Sequence, residues 1–194
     1  MTGPVLTPPG SRVLLHVCCA PCSGAIIESM CSQGIVPTVF WSNSNIHTAE
    51  ENDKRLSTLA PYAAEFGVPV VVDGYDHAAW LAFVRDGLAQ DGLRPQDCPE
   101  RGERCLMCFR FRLLRAARYA AANGFDCLTT SLASSRWKSL EQVDAAGEWA
   151  CSSVNGVSWW PQNWRKGGLQ PRRAEIIREQ GFYNQTFCGC EYSI

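Results

Sequence analysis

Short apolar runs alternate with longer helical stretches along this chain, and that alternation limits its fold more than any other feature. Arg12–Val17 (RVLLHV), Val36–Trp41 (VPTVFW), Val68–Val72 (VPVVV), Phe125–Thr130 and Val157–Trp160 read as strands. Ser23–Gln33, Thr48–Phe66, Asp76–Arg85, Arg104–Ala122, Ser139–Cys151 and Leu169–Gln180 read as helices, and residues 87–102 as a polar loop. Strands that alternate with helices form parallel sheets. Strands apolar on both faces are those covered by helices on both sides. The expected fold is α/β, a single-domain Rossmann-like parallel sheet of about five strands flanked by helices. With 194 residues, the chain is long enough to bury one such core.

Residues 1–10 carry three prolines and two glycines. They have neither a basic segment nor a long apolar one, so they read as a flexible tail rather than a signal peptide. No apolar stretch reaches the roughly 18 residues of a membrane span. A cytoplasmic protein without a membrane partner is expected, with residues 11–194 as its one domain.

Eleven cysteines in such a chain need an explanation. An odd number without an export signal argues against a disulfide framework and for metal or redox chemistry. Seven fall into three clusters. Cys18, Cys19 and Cys22 (CCAPC) follow the first strand, Cys105 and Cys108 (CLMC) open the long fourth helix, and Cys188 and Cys190 flank Gly189 in FCGC. In open α/β sheets ligands bind beyond the carboxyl ends of strands, where the first cluster lies. A helix N-terminus also favours thiolates there. Four thiolates suffice for a zinc ion or an iron–sulfur cluster, and spacing does not separate the two. The surplus points to a second metal or a redox dithiol. Cys127 and Cys151 are expected to be small buried hydrophobes, with Cys31 and Cys98 also outside the clusters.

Charge is unevenly distributed. Residues 1–100 sum to −6 and residues 101–194 to +5, within a net charge of −1. A basic half fits either solvated helix faces or a nucleic-acid footprint.

The stretches LLHVCCAPCS (14–23), SNSNIH (42–47), GYD (74–76), GERCLMCFRFRL (102–113), GFDCLTTSL (124–132) and GFYNQTFCGCEYS (181–193) resemble, in order, those of the QueH-type epoxyqueuosine reductases. This family does not depend on cobalamin. The chain departs from the usual family pattern in SNSN, which lacks a proline, and in the segments around Lys138 and Arg165. The resemblance implies a HUP-type fold and a 4Fe-4S cluster. It further implies reduction of epoxyqueuosine to queuosine in a tRNA anticodon loop. Cys18, Cys19, Cys105 and Cys108 would hold the cluster, and Cys188 and Cys190 would be a redox-active pair. Cys22 would hold an additional iron or line the substrate site.

Reduction of an epoxide to an alkene consumes two electrons and two protons, so an electron donor and a proton donor are implied. Asp76, His47 and Tyr75 are the proton-donor candidates. His16, inside a strand, is expected to be a packed core residue. Asn43, Asn45, His47, Arg136, Lys138, Arg165 and Lys166 are the expected substrate contacts. Trp137, Trp159, Trp160 and Trp164 are available for stacking on bases, with Trp159 and Trp160 expected in the core. Three other readings compete. An ATP-dependent PP-loop enzyme would need a Gly/Ser-rich phosphate loop where this chain has CCAPCSG. A zinc-binding nucleic-acid module would be colourless. An iron–sulfur reductase of small disulfides would not need a basic half.

Overall fold

The computed structural model describes residues 5–193. Of the expected tail, residues 1–4 lie outside the described ones. Leu6 packs against the core and donates its N–H to Gln33 Oε1 at 2.8 Å. Strands β1 (Val13–Val17), β2 (Thr38–Trp41), β3 (Val70–Val72), β4 (Cys127–Thr130) and β5 (Ser158–Trp159) form one sheet. Its order is β3-β2-β1-β4-β5, and every pairing is parallel. The helices are α1 (Ala20–Cys31), α2 (Ala49–Glu65), α3 (His77–Ala89), α4 (Glu103–Ala122), α5 (Leu140–Ser152) and α6 (Leu169–Gln180). Their contacts group α1 with α2 and α6, and α4 with α3 and α5. These are the two layers of a doubly wound sheet.

Position in the sheet explains the burial. Central β1 is buried at every residue, and Leu14 and Leu15 are inaccessible to solvent. β5, at an edge, keeps two residues where Val157–Trp160 was expected, and Ser158 is exposed. α3 runs to Ala89, into the segment read as loop, because Trp80, Val84 and Leu88 line up at i, i+4 and i+8 and bury one face. α1 starts at Ala20 rather than Ser23, with Pro21 in its first turn, where a missing N–H costs nothing. Cys19 therefore becomes the N-cap and Cys22 enters the first turn.

The carboxyl ends of β1, β2 and β4 are tied together. Asn43 Nδ2 donates to Val17 O at 2.9 Å, and Cys18 N–H donates to Ser131 Oγ at 3.0 Å. Arg115 pairs with Asp73 after β3, with Nη2 at 2.7 Å from Oδ1. Arg172 of α6 reaches Glu28 of α1 at 2.7 and 2.8 Å. Among the described residues no helix is long and apolar enough to cross a membrane.

Candidate active site

Adjacent cysteines in a strand would diverge, but Cys18 and Cys19 sit where β1 turns into α1. Their sulfurs are 3.8 Å apart, and Cys22 joins them so that all three sulfurs lie within 4.8 Å of one another. Ser131 Oγ donates to Cys18 Sγ at 3.4 Å. Cys105 and Cys108 lie three residues apart on the first turns of α4, hence on one helix face. Cys105 Sγ accepts the Arg101 N–H at 3.3 Å. Cys188 and Cys190 flank Gly189, whose φ of +103° suits glycine. That turn is anchored through its backbone. Arg55 Nη1 donates to Cys188 O at 2.9 Å, and His47 N–H donates to Gly189 O at 2.8 Å.

All seven clustered cysteines line one cavity of about 490 Å³. The other four do not line it. Cys127 and Cys151 are buried in the main core. Every cysteine is a free thiol.

The cavity polarises its thiols. Hydrogen bonds from Cys19 and Cys22 hold the Cys18 thiol well below its usual range against the opposing effect of burial, helped by Lys138 and Arg112. The bond to Cys18 raises Cys19 and pushes Cys22 up to about 12. Cys188 is likewise held low, first by a bond from Cys190 and then by Lys138 and Arg112, while Cys190 is raised. Burial pushes Cys108 up to about 11 and raises Cys105. Burial also disfavours the Lys138 ammonium, but Cys188, Cys18 and Cys22 outweigh it and raise its pKa. Cys18 and Cys188, the two thiols held low, thus share one ammonium and one guanidinium.

Asn43, Asn45 and Lys138 of the expected contacts line this cavity. Arg136 lines a neighbouring pocket with Arg101, Trp137 and Arg173. Arg165 bonds to Lys138 O at 2.7 Å from outside the lining, and Lys166 is exposed elsewhere. His47 is exposed and turned away. Asp76, expected as a catalytic proton donor, is not among the residues that line the cavity. Its carboxylate accepts Ala79 N–H at 2.9 Å and caps α3, outside the cavity. Tyr75 also lies outside, bonded to Ile46 O at 2.7 Å. His16 is fully buried, as expected of a core residue. Trp164 is not free to stack, because it is buried with Nε1 on Thr130 O at 3.1 Å.

Sequence reading missed Arg55, Arg104 and Arg112 in the lining. Arg112 was within reach, since Cys105, Cys108 and Arg112 follow helical spacing on one face. It bonds Asn43 Oδ1 and donates to Ser42 O at 3.3 Å. Buried polar atoms of lining residues, among them Asn45 Oδ1, Arg55 Nη2, Arg104 Nε and Gln185 Oε1, have no partner among the described residues. Buried polar groups are nearly always paired, so such a group of orphans marks a place for a ligand.

A family model described as "Epoxyqueuosine reductase QueH" matches residues 13–194. Proteins named epoxyqueuosine reductase QueH are similar over most of the chain. The one from Histophilus somni is 40% identical over 184 residues, 95% of this chain and 72% of that protein. The one from Acinetobacter baylyi is 39% identical over 183 residues, 94% of this chain and 80% of its own length. The one from Thermotoga maritima is 30% identical over 185 residues, 94% of this chain and 90% of its own.

Proposed function

The chain belongs to the epoxyqueuosine reductase QueH family, and on that footing we propose that the thiol-lined cavity is where epoxyqueuosine, presented by a tRNA anticodon loop, loses its epoxide oxygen. The observation that carries this is the convergence of seven thiols, from three distant segments, on one cavity with orphaned polar groups.

In this reading Cys18, Cys19, Cys105 and Cys108 hold a 4Fe-4S cluster. The donor set fits: four soft sulfurs, three of them buried and Cys105 half-buried, with Arg112 and Lys138 beside them to offset negative charge. Cys22, in sulfur contact with Cys18 and Cys19, is the thiol available to an additional iron. Such metals supply one-electron transfer and Lewis acidity when bound.

The protein's own groups account for the balance of the reaction. The Cys188 thiolate and Cys190 thiol become a disulfide and give up two electrons. The Cys190 thiol and Lys138 Nζ each release a proton. The epoxide's two C–O bonds break, an alkene forms, and the oxygen leaves as water. A separate electron donor then restores the dithiol. Asn45 Oδ1, Arg55 Nη2 and Gln185 Oε1 orient the modified base. A tRNA substrate and eleven free thiols fit a cytoplasmic reaction.

Trp137, 80% exposed, stands at the rim. Arg101 fixes its loop by bonds to Arg136 O at 2.5 Å and Trp137 O at 3.1 Å. Single-stranded loops are read by stacking on such aromatics. Trp137→Ala is expected to raise KM for the tRNA roughly 5- to 150-fold, from about 1–3 kcal/mol of lost stacking, with kcat little changed. An unaltered KM would move the RNA contact elsewhere.

The test is anaerobic purification, iron, sulfide and zinc analysis, and turnover on epoxyqueuosine tRNA. About four irons with matching sulfide support the cluster, and excess iron supports the second metal. A colourless zinc protein after reconstitution defeats the cluster reading. Cys188→Ser should keep its iron and lose turnover. Full turnover in that variant defeats the dithiol.

A further inference from the structure

A second group of metal-ligating side chains lies outside the cavity. His47 follows β2, His77 opens α3, and Glu191 follows the Cys188–Cys190 turn. One ligand atom from each lies within 4.8 Å of the other two. His47 is exposed and the other two are half-buried.

The ring of His77 is fixed. It stacks on Trp80 at 5.3 Å and on Tyr75 at 6.3 Å between centroids. Its Nδ1 lies 2.8 Å from Ser44 O. A carbonyl only accepts, so Nδ1 carries the proton. In the neutral ring Nε2 is then a bare lone pair. That lone pair faces Glu191 Oε2 at 3.2 Å. Two acceptors at that distance require a cation: a proton on Nε2, or a metal ion held by both.

The geometry favours a metal. A histidine that ligates through one nitrogen while the other donates to a backbone carbonyl is the recurrent arrangement of metal-bound imidazole. Ligands at about 2.0–2.1 Å from a tetrahedral zinc are about 3.3 Å apart, close to the His77–Glu191 separation. His47 stands alongside, its ring centroid 5.3 Å from that of His77 and one ring nitrogen within 4.8 Å of the other two ligand atoms. Two imidazoles and one carboxylate suit a borderline divalent ion and not Mg²⁺ or Ca²⁺. They leave a fourth position for water.

We propose that His47, His77 and Glu191 bind a divalent transition ion, zinc above all, which clips the Cys188–Cys190 turn to the loop after β2 and the start of α3. The clip would act together with the His47 N–H bond to Gly189 O, which ties the same two segments. The site is separate from the cavity and does not depend on what the cavity reduces.

The test loads zinc onto the anaerobically reconstituted, iron-containing protein and reads its ligands by zinc K-edge X-ray absorption. The expected result is about one zinc per chain with a nitrogen/oxygen shell at about 2.0–2.1 Å and no sulfur at about 2.3 Å. His77→Gln and His47→Gln should each lose that zinc while keeping iron. Losing a direct ligand costs at least the roughly 10- to 100-fold that loss of a ligand's hydrogen-bonding partner costs. The proposal is overturned if wild type takes up no zinc in a sulfur-free shell, leaving a protonated His77–Glu191 ion pair. It is equally overturned if both variants bind zinc as tightly as wild type. Should a variant lose its iron through misfolding, the wild-type spectrum alone decides.

Discussion

Cys105→Ser is expected to strip the protein of cluster iron and cut turnover at least about 100-fold, beyond the loss usual for an outer partner of a metal ligand, while the polypeptide stays folded. Cys105 is half-buried, and its Sγ accepts one backbone bond, from Arg101 at 3.3 Å. A serine hydroxyl accepts that bond equally well, so stability should shift by no more than about 1 kcal/mol. As an iron ligand, however, a hydroxyl is a hard replacement for a soft thiolate. Cys127→Ser is the contrasting case. Cys127 is fully buried in β4, away from the cavity. Its serine variant should lose about 1–3 kcal/mol for the buried hydroxyl and retain iron and turnover. Iron analysis, urea unfolding and turnover of the two variants separate ligand loss from destabilisation. Full iron and turnover in Cys105→Ser would remove Cys105 from the ligand set.

The second large effect is on acid stability, through His16. Its Nε2 faces Ser42 O at 3.3 Å, and its Nδ1 lies 2.7 Å from the Thr130 hydroxyl, which also donates to His16 O at 3.3 Å. Burial, followed by the nearby Arg112, pushes its pKa down to about 3. In the unfolded chain the ring titrates near 6.5. The unfolded state therefore binds a proton between these values that the folded state refuses. His16 costs no stability above about pH 6.5. Stability then falls as pH drops toward 3, at up to about 1.4 kcal/mol per pH unit and about 4–5 kcal/mol in all. Urea unfolding of the metal-free, reduced chain from about pH 7 to about pH 4 should show this decline, and His16→Gln should flatten it. Equal slopes in the two proteins would assign the acid sensitivity elsewhere.

What was legible in the sequence follows physical range. The runs at 12–17 and 36–41 show as strands because both faces of a central parallel strand are covered, which needs no knowledge of partners. Edge strand β5 is less legible, since only Ser158–Trp159 keep strand geometry within the apolar run, although Trp160 N–H still donates to Leu128 O of β4 at 2.8 Å. The three cysteine clusters stand out by spacing alone, and all seven members meet in one cavity. Contacts between distant segments do not show in this way. Nothing near Arg55 announces that its guanidinium will hold Cys188 O, 133 residues away. Asp76 was ambiguous because a carboxylate beyond a strand serves equally as an acid or as a helix cap. In the structure its carboxylate takes the Ala79 N–H three residues on, as a cap does.

The pairing of β1 with β4 also sets an order of events. Each strand pairing here is parallel and needs a crossover, and the His16–Thr130 pairing closes a span that holds α1, β2, α2, β3, α3 and α4. The thiols at the end of β1 therefore reach those of α4 and of residues 188–190 late in folding. If the proposed metals are loaded only after that convergence, the folded chain first presents its clustered thiols bare. Cys18 and Cys188, the two most acidic of its thiols, are then open to oxidation toward sulfenic acid or disulfide. On the proposed reading, the interval between folding and loading is the oxygen-sensitive window.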